Sequence, residues 1–329
     1  MKHMILIYGG LGDLASRRII PALNEISSEL SIGFALVDCK VTCTVPGKYY
    51  RPGEEPLSQY NAAIISTPND AHKDIAIKAL NFGMHILCEK PLAHTLEAAR
   101  EIVEAANKHP AQVAMLSDHY TYKPAVREVI QKWAQYKARI GKIGSIKAKV
   151  LEPSSVEGRE WLLQKGKSGG GVIMDTGIHL VSIMGRLFGY DKMHVTKATV
   201  SRYEGAPGNS ETFGYIALNV DDIPIEVEVG KMMADTEKGI VFSGDKRQLE
   251  IDIEREQVKL NGMVEASFAE DDSYLAILKE FFSAIEDKRT SWTTLNEGYE
   301  AQRIIDAVYE IAKWEVPKHA KIKEARIGG

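Results

Sequence analysis

The sequence predicts an α/β fold in two parts: an N-terminal doubly wound parallel sheet and a C-terminal α+β domain with a mostly antiparallel sheet. Three observations predict it. A glycine-rich turn joins the first strand to the first helix, and strands then alternate with helices over the first third of the chain. From about residue 144, apolar and polar residues alternate as in strands with one wet face. We place the domains at 1–120 and 121–329.

The first element is a short apolar strand, Met4 to Tyr8, followed by glycines and an amphipathic helix. The turn contains Gly10-x-Gly12-x-x-Ala15, which fits the dinucleotide-binding fingerprint of Rossmann domains. Residues without a Cβ let the backbone approach a pyrophosphate, and the helix N-terminus offers N–H groups to it. An ordinary tight strand-to-helix turn is the alternative. The cofactor-binding residues predicted here are Gly10, Leu11, Gly12, Asp13, Leu14 and Ala15.

The second predicted strand ends at Asp38, somewhat farther from Gly12 than the usual spacing of about 20 residues. A carboxylate at this position can accept hydrogen bonds from both ribose hydroxyls and repels a 2′-phosphate. We therefore prefer NAD as the cofactor. Arg17, Arg18 and Lys40 are cations that would accept a 2′-phosphate, so NADP stays possible.

Polar residues follow each later strand of the predicted parallel sheet. Thr67 and Pro68 follow the strand 62–66, Glu89 and Lys90 follow the strand 84–88, and Asp118 follows the last strand. Ligands of such sheets bind at the carboxyl ends of the strands. We therefore add five residues to the predicted cofactor site: Ser66, Thr67, Pro68, Glu89 and Lys90.

In the second half, a helix opened by three glycines interrupts the strands and carries Asp175 and His179 at i and i+4, on one face. A carboxylate one turn from an imidazole can orient it and stabilise its cation. The alternative is a helix-terminal acid beside a structurally satisfied histidine. Two amphipathic helices, 273–285 and 295–314, are expected to pack back onto the sheet or onto the first domain.

Composition restricts the possible partners. The net charge of −4 does not favour a basic nucleic-acid-binding face, and no apolar run approaches the roughly 20 residues of a membrane helix. The three cysteines, Cys39, Cys43 and Cys88, cannot all pair and lack zinc-ligand spacing, so we expect free thiols, no metal and a cytoplasmic location. A sheet with one free face favours a homo-oligomer through the C-terminal sheet.

The chain resembles the Gfo/Idh/MocA oxidoreductases over nearly its whole length. The resemblance rests on the G-x-G-x-x-A turn, on S-T-P and E-K-P after strands, and on D-x-G-x-H in the second half. It implies that Lys90, Asp175 and His179 surround the reacting carbon. It also implies a cis Lys90–Pro91 bond. The last Asp of the family's D-x-G-x-H-x-x-D pattern is Ser182 here, which leaves the outer substrate contacts open.

Three stretches are similar to glucose-6-phosphate dehydrogenases: the glycine turn with its helix, Asp118-His119-Tyr120-Thr121-Tyr122-Lys123, and residues 152–159. This second resemblance implies that His119, Tyr120 and Lys123 hold a substrate phosphate or another oxyanion. It also implies that Asp118 orients the catalytic histidine. Two cations and a phenol suit an oxyanion, but a solvated strand crossing between the domains is the alternative. The predicted substrate-binding residues are Asp118, His119, Tyr120 and Lys123.

Together these expectations describe an NAD(P)-dependent dehydrogenase acting on a sugar or sugar phosphate. His179 is the expected general base, with Asp175 or Asp118 orienting it, and Lys90 steadies the charge on the reacting oxygen. An aldose 6-phosphate oxidised at C1, such as glucose 6-phosphate, is the first substrate expected. An unphosphorylated sugar or cyclitol is the alternative, and a non-catalytic NAD(P)-binding sensor is a further one.

Overall fold

A computed structural model of the chain describes residues 3–9, 12–38, 48–154, 156–269 and 271–316. The chain divides into two compact units, each made of two segments. The first unit comprises Met1–Tyr122 and Asp272–Tyr299, and the second comprises Lys123–Asp271 and Glu300–Gly329. Gly10, Leu11, Lys40, Cys39 and Cys43 lie outside the described residues.

The strands of the first unit are β1 (His3–Tyr8), β2 (Ile32–Val37), β3 (Lys48–Tyr50), β4 (Ala62–Ile65), β5 (His85–Glu89) and β6 (Ala114–Ser117). Those of the second unit are β7 (Ile143–Leu151), β8 (Met193–Ser201), β9 (Phe213–Val220), β10 (Ile223–Gly230), β11 (Glu237–Gly244), β12 (Gln248–Asp252), β13 (Gln257–Leu260), β14 (Met263–Ser267) and β15 (Lys313–Trp314).

The α-helices are α1 (Ile20–Leu30), α2 (His72–Asn81), α3 (Leu96–Lys108), α4 (His119–Tyr122), α5 (Pro124–Gln131), α6 (Trp133–Ile140), α7 (Lys165–Ser168), α8 (Ile178–Phe188), α9 (Ser273–Asp287) and α10 (Leu295–Ile311). Two π-helical turns, Ala15–Ile19 and Ile173–Gly177, lead into α1 and α8. The 3₁₀ turns are Leu57–Gln59, Asn69–Ala71, Glu160–Leu163 and Tyr190–Lys192.

The sheet of the first unit has the order β3-β2-β1-β4-β5-β6, and every neighbouring pair is parallel. Side chains of β1 alternate between its two faces. Ile5 and Ile7 pack in one core with α1 and α9, whereas Leu6 and Tyr8 pack in another with α2 and α3. Helices therefore cover both faces, and the predicted doubly wound sheet is confirmed. The strand order reverses between β1 and β4, which is the usual ligand site of such folds.

The structure groups residues 272–299 with the N-terminal segment, whereas the sequence analysis assigns them to the second domain. Helix α9 explains the grouping, because Ile277, Leu278, Phe281 and Phe282 are almost fully buried in the core that contains β1 and α1. The Thr293 hydroxyl also donates a 2.7 Å hydrogen bond to the carbonyl of Leu116 at the end of β6. An amphipathic pattern predicts that a helix packs on a core, but it does not identify which core.

The second unit contains a nine-stranded sheet in the order β14-β13-β12-β11-β7-β10-β9-β8-β15. Its pairs are antiparallel except for β7 with β10 and β8 with β15, so the predicted mostly antiparallel sheet is confirmed. One face carries cross-strand ion pairs, among them Lys147 with Glu226 at 3.4 Å. Homo-oligomerisation through this sheet stays a prediction.

The helical stretch from Lys165 to Phe188 forms part of the core of the second unit. Among the described residues it is the one helix with the length and composition of a membrane span, which the sequence prediction of no such run missed, and 83% of its most apolar window is buried inside the protein. Nearly every side chain of α8 is buried, including His179. In the first unit, Cys88 is a buried free thiol on β5.

Candidate active site

The turn after β1 requires a glycine at its first position. Gly9 has φ = +76°, and a Cβ on it would lie 2.7 Å from the carbonyl oxygen of Ser66, which follows β4. The N–H of Gly12 closes the turn on the carbonyl of Gly9 at 2.9 Å. Ala15 is fully buried, as expected of the third small residue in a dinucleotide fingerprint. These described residues fit a backbone that approaches a dinucleotide closely at the β1–β4 switch point.

Two further predicted residues of this turn are described: Asp13 is exposed, and Leu14 is partly buried. The Asp13 carboxylate forms an ion pair with the exposed Arg17 at 2.6 Å. The Leu14 side chain packs against the core that contains α1. Asp38 follows β2, and its N–H donates to the carbonyl of Tyr50 on the neighbouring β3 at 3.3 Å. Asp38 therefore lies at the carboxyl end of β2, where the sequence predicted the ribose-binding carboxylate.

The loops after β4 and β5 are joined by a buried histidine that the sequence analysis did not single out. One ring nitrogen of His72 lies 2.9 Å from the carbonyl oxygen of Thr67, and the other lies 3.1 Å from that of Pro91. Burial lowers the pKa of His72, and hydrogen bonding to these carbonyls opposes that shift. The side chain fixes the Thr67–Pro68 turn relative to the loop that carries Lys90.

Glu89 and Lys90 lie at the end of β5, and the Lys90–Pro91 bond is cis, as the family resemblance implied. The Ser117 hydroxyl at the end of β6 donates a 2.6 Å hydrogen bond to the buried Glu89 carboxylate. Burial raises the pKa of Glu89 to about 7; the Ser117 hydrogen bond and the Lys90 charge oppose this shift, and the nearby Asp118 adds to it. The predicted edge of the sheet therefore holds an acid that titrates near neutral pH.

We expect Glu89→Gln to gain stability relative to the natural protein as pH rises from about 4.5 to about 7. The folded protein keeps the Glu89 proton up to about pH 7, whereas the unfolded chain releases it near 4.5, so the natural protein loses stability across this window. At 1.36 kcal/mol per pH unit, the natural protein loses about 3 kcal/mol of unfolding free energy relative to Glu89→Gln across this window. Urea unfolding of both proteins at about pH 5 and about pH 8 measures it.

The matched control is Glu54→Gln, which removes an exposed carboxylate from a turn of the same unit. Its free energy of unfolding, relative to the natural protein, should not change between the two pH values. If the stability of Glu89→Gln relative to the natural protein were also independent of pH, the raised pKa of Glu89 would be contradicted.

The alternative interpretation of residues 118–123 as a solvated strand is wrong. Strand β6 ends at Ser117, and His119–Tyr122 form the short helix α4 in the first unit. Asp118 and Tyr120 are buried, and the His119 ring stacks on Tyr274 of α9 at 5.3 Å and 17°. The cluster is therefore packed against α9, because its aromatic rings join the apolar contacts of that helix.

Lys123, which begins the second unit, is engaged by two carboxylates. Its ammonium lies 2.8 Å from Glu256 and 2.8 Å from Asp271, and only 13% of the side chain is exposed. Burial opposes the charge, but the hydrogen bonds that the ammonium donates to Asp271 and Glu256 raise the pKa of Lys123 overall. A phosphate at this ammonium would have to compete with both acids.

Asp175 and His179 lie in the second unit, on the π-helical turn and on the first turn of α8. The Asp175 carboxylate forms an ion pair with Lys231, which follows β10. His179 is buried, with 2% of its surface exposed. The acid of the D-x-G-x-H motif is therefore engaged by a cation 56 residues away in sequence.

Glu211 and Tyr309 cap the N-terminal end of the helix that carries Asp175 and His179. One oxygen of Glu211 accepts hydrogen bonds from the N–H groups of Gly171 (3.0 Å) and Ile173 (3.1 Å) and from the Tyr309 hydroxyl (2.7 Å). The Tyr309 oxygen in turn accepts the N–H of Met174 at 3.1 Å. Burial raises the pKa of Glu211, against these hydrogen bonds. N–H groups that a helix leaves unpaired are thus satisfied by two distant side chains.

This cap explains the glycines before the motif helix. A Cβ on Gly170 would overlap the Tyr309 hydroxyl, and one on Gly171 would overlap the backbone of Glu211. The sequence analysis interpreted the three glycines as a loop and missed the capping residues, because Glu211 and Tyr309 are 40 and 138 residues from Gly171. The sequence did contain a sign of Lys231. It continues the period-two register of the buried residues Val227 and Val229 of β10, and a charged residue at a buried position is unusual.

Among the described residues, no group of three or more His, Cys, Asp or Glu side chains is arranged to hold a metal ion. The polar groups instead collect at the carboxyl ends of β1, β4, β5 and β6 in the first unit and around the α8 helix in the second. The first unit thus has the fold of dinucleotide-binding Rossmann domains, with its glycine turn at the switch point.

Residues 42–117 match the family model described as the oxidoreductase family's NAD-binding Rossmann fold, and residues 137–317 match that of its C-terminal alpha/beta domain. The chain therefore belongs to the Gfo/Idh/MocA oxidoreductase family. The matched N-terminal domain is the NAD-binding domain of that family.

Two relatives illustrate the range of the family. The chain is 37% identical to the 1,5-anhydro-D-fructose reductase of Ensifer adhaerens over 123 residues, which cover 36% of this chain and 35% of the reductase. It is 23% identical to the D-glucoside 3-dehydrogenase of Escherichia coli over 270 residues, or 76% of each chain. The first match thus spans about a third of the reductase.

A solved structure with a similar fold is the 3-ketoreductase KijD10 of Actinomadura kijaniata, in complex with NADP and TDP-benzene. It superposes with a TM-score of 0.81 over 96% of this chain and 100% of KijD10, at 18% identity. At this identity the likeness concerns the fold.

Proposed function

We propose that this oxidoreductase transfers a hydride between a CH–OH carbon of a sugar or cyclitol and a nicotinamide nucleotide. Lys90 carries the proposal: it directly follows the buried Glu89 at the carboxyl end of β5, beside the β1–β4 switch point. The relatives named as sugar reductases and dehydrogenases support the substrate class.

The proposed roles follow the chemistry of each side chain. His179 takes the hydroxyl proton as general base, Lys90 donates a hydrogen bond to the reacting oxygen, and Asp175 stabilises the imidazolium. Asp118 remains the alternative partner of the imidazole. The nucleotide, when bound, accepts the hydride of the CH–OH carbon or supplies it in the reverse direction.

We propose that five described residues hold the nucleotide: Gly9, Gly12, Asp38, Ser66 and Thr67. Asp38 supports NAD as the preferred cofactor, because a carboxylate at the end of β2 accepts hydrogen bonds from the ribose hydroxyls and repels a 2′-phosphate. Structures with a similar fold were solved with NADP and with NADH, so both nucleotides belong in the assay.

The contacts of Lys123 favour an unphosphorylated substrate over a sugar phosphate. The ammonium already has two carboxylates at 2.8 Å, and Glu256 additionally accepts the N–H of Ala125 at the start of α5. A phosphate dianion near Asp271 and Glu256 would be repelled by both. We therefore reverse the order of the two substrate classes that the sequence suggested.

The deciding assay is a panel of sugars, cyclitols and sugar phosphates with NAD and NADP, read by NAD(P)H absorbance. We expect turnover with a neutral sugar or cyclitol. Tight NADH binding without turnover of any member of the panel would favour the nucleotide-binding sensor instead.

We expect Lys123→Met to change KM for a sugar phosphate and for the matching free sugar by the same factor, within about twofold. The reason is that the ammonium stabilises Glu256 and Asp271 and would not contact substrate. Steady-state kinetics with both substrates gives the ratio directly, so any general loss of stability cancels. A rise of about tenfold or more in KM for the phosphate alone would restore the phosphate site.

A further inference from the structure

The ammonium of Lys231 and the carboxylate of Asp175 form an ion pair inside the second unit. Only 6% of the Lys231 side chain and 18% of the Asp175 side chain are exposed. Lys231 follows β10 directly, and its N–H donates to the carbonyl of Thr212 at 2.9 Å. This bond extends the β9–β10 pairing by one step, so the backbone of Lys231 is held by the sheet.

The ion pair continues into a chain of alternating charges. Lys231 lies close enough to Glu152 to favour its ionised form, and the Lys238 ammonium contacts the same carboxylate at 2.6 Å. Burial opposes ionisation of Glu152, but the hydrogen bonds from Lys238 and Ser154 outweigh it and keep the pKa of Glu152 below its usual value. The order is therefore Asp175, Lys231, Glu152, Lys238, with each charge beside one of opposite sign.

The remaining titratable groups around Asp175 belong to the elements packed on the same helical turn. His179 lies one turn later, on α8. Glu211 and Tyr309 contact the N–H groups of Ile173 and Met174, immediately before Asp175. Lys231 is a cation with a described contact to the Asp175 carboxylate, so removing it takes an opposite charge away from a carboxylate that is only 18% exposed.

We propose that Lys231 is a positioning residue that keeps Asp175 ionised and directs its carboxylate during the reaction. Asp175 then acts as a fixed negative charge that stabilises the protonated His179, and it does not itself accept the substrate proton. This role deepens the proposed function and rests on it. The E-K-P and D-x-G-x-H motifs do not contain Lys231, and its contact with Asp175 is visible only in the fold.

The test compares Lys231→Met, which keeps the length of the side chain, with Lys231→Arg, which keeps its charge. Without the Lys231 ammonium, Asp175 binds protons more readily and its negative charge favours the protonated His179 more strongly, so the acidic limb of kcat/KM, which reports the imidazole base, should move up by about one pH unit in the Met variant. In the Arg variant the acidic limb should return to its pH position in the natural protein. Lys238→Met removes the other ammonium of the charge chain and should leave the limb within about a few tenths of a pH unit.

A readout without turnover makes the inference independent of the substrate. The carbon-13 carboxyl resonance of Asp175, assigned by its disappearance in Asp175→Asn, should titrate at higher pH in Lys231→Met than in the natural protein. An unmoved resonance and an unmoved limb, with kcat/KM lowered equally at every pH, would reduce Lys231 to a packing residue and overturn the proposal.

Two further outcomes are separable. If Lys231→Met does not fold, the double variant Asp175→Asn/Lys231→Met is compared with Asp175→Asn alone; equal pH profiles are expected, and different profiles contradict the proposal. If the natural protein turns over no sugar, the proposed function fails, while the Asp175 titration still decides the role of Lys231.

Discussion

Replacing His179 with asparagine should lower kcat by about 10²- to 10⁴-fold, the usual contribution of a positioned general base. Asparagine retains a polar side chain of similar size but cannot accept the hydroxyl proton. The affinity for NADH should stay within about twofold, because the residues proposed to hold the nucleotide belong to the first unit and His179 belongs to the second. Steady-state kinetics and fluorescence titration with NADH give the two values.

His194→Asn is the matched control, since His194 is an exposed histidine of β8 in the same unit. It should change neither kcat nor nucleotide affinity. If His179→Asn lost turnover and NADH binding by the same factor, the residue would be structural, and the base would have to be sought among the other polar groups of the site.

Replacing Glu211 with alanine should lower the free energy of unfolding by about 3–5 kcal/mol, among the largest effects of a single substitution. The change removes the acceptor of the Ile173 N–H and of the Tyr309 hydroxyl, whereas the Gly171 N–H keeps the Tyr309 oxygen at 3.2 Å. Each buried donor left unsatisfied costs about 1–3 kcal/mol, and the removed side chain leaves a cavity as well. Urea unfolding monitored by circular dichroism measures the loss.

Glu211→Gln keeps an oxygen acceptor and should retain most of the stability. Glu204→Ala, which removes an exposed carboxylate from a nearby turn, should change the free energy of unfolding by less than about 0.5 kcal/mol. If the Gln variant were as unstable as the Ala variant, the negative charge rather than the acceptor would be the stabilising feature, and the capping interpretation would fail.

The cap and the Lys231 ion pair act on the same short segment. Glu211 and Tyr309 fix the backbone where the helix begins, and Lys231 holds the Asp175 side chain two residues after Ile173. Glu211 stands next to Thr212, whose carbonyl accepts the N–H of Lys231. One end of the β9–β10 hairpin therefore supplies both the carboxylate that caps the helix and the ammonium that engages its motif acid.

Local patterns in the sequence determined the architecture of each sheet. The glycine turn after β1, the alternation of strands with helices, and the period-two alternation of β9 and β10 depend on residues within one element or one turn of each other. The polar residues at the strand ends were predictable for the same reason: parallel strands end at a common edge, which brings Glu89 beside Ser117. Lys90, Asp175 and His179 were predicted as site residues from short patterns alone, and their roles stay predictions.

The tertiary structure decided which distant residues meet. It assigned α9 to the core of the first unit, placed Lys231 against Asp175 across 56 residues, and placed Tyr309 against Gly171 across 138. It also engaged Lys123 with Glu256 and Asp271, which changes the expected substrate. Hydrophobic and helical periodicity reports which positions an element buries, Lys231 among them, but it does not report the partner, because the two ends of a salt bridge or cap lie on elements that are far apart in sequence.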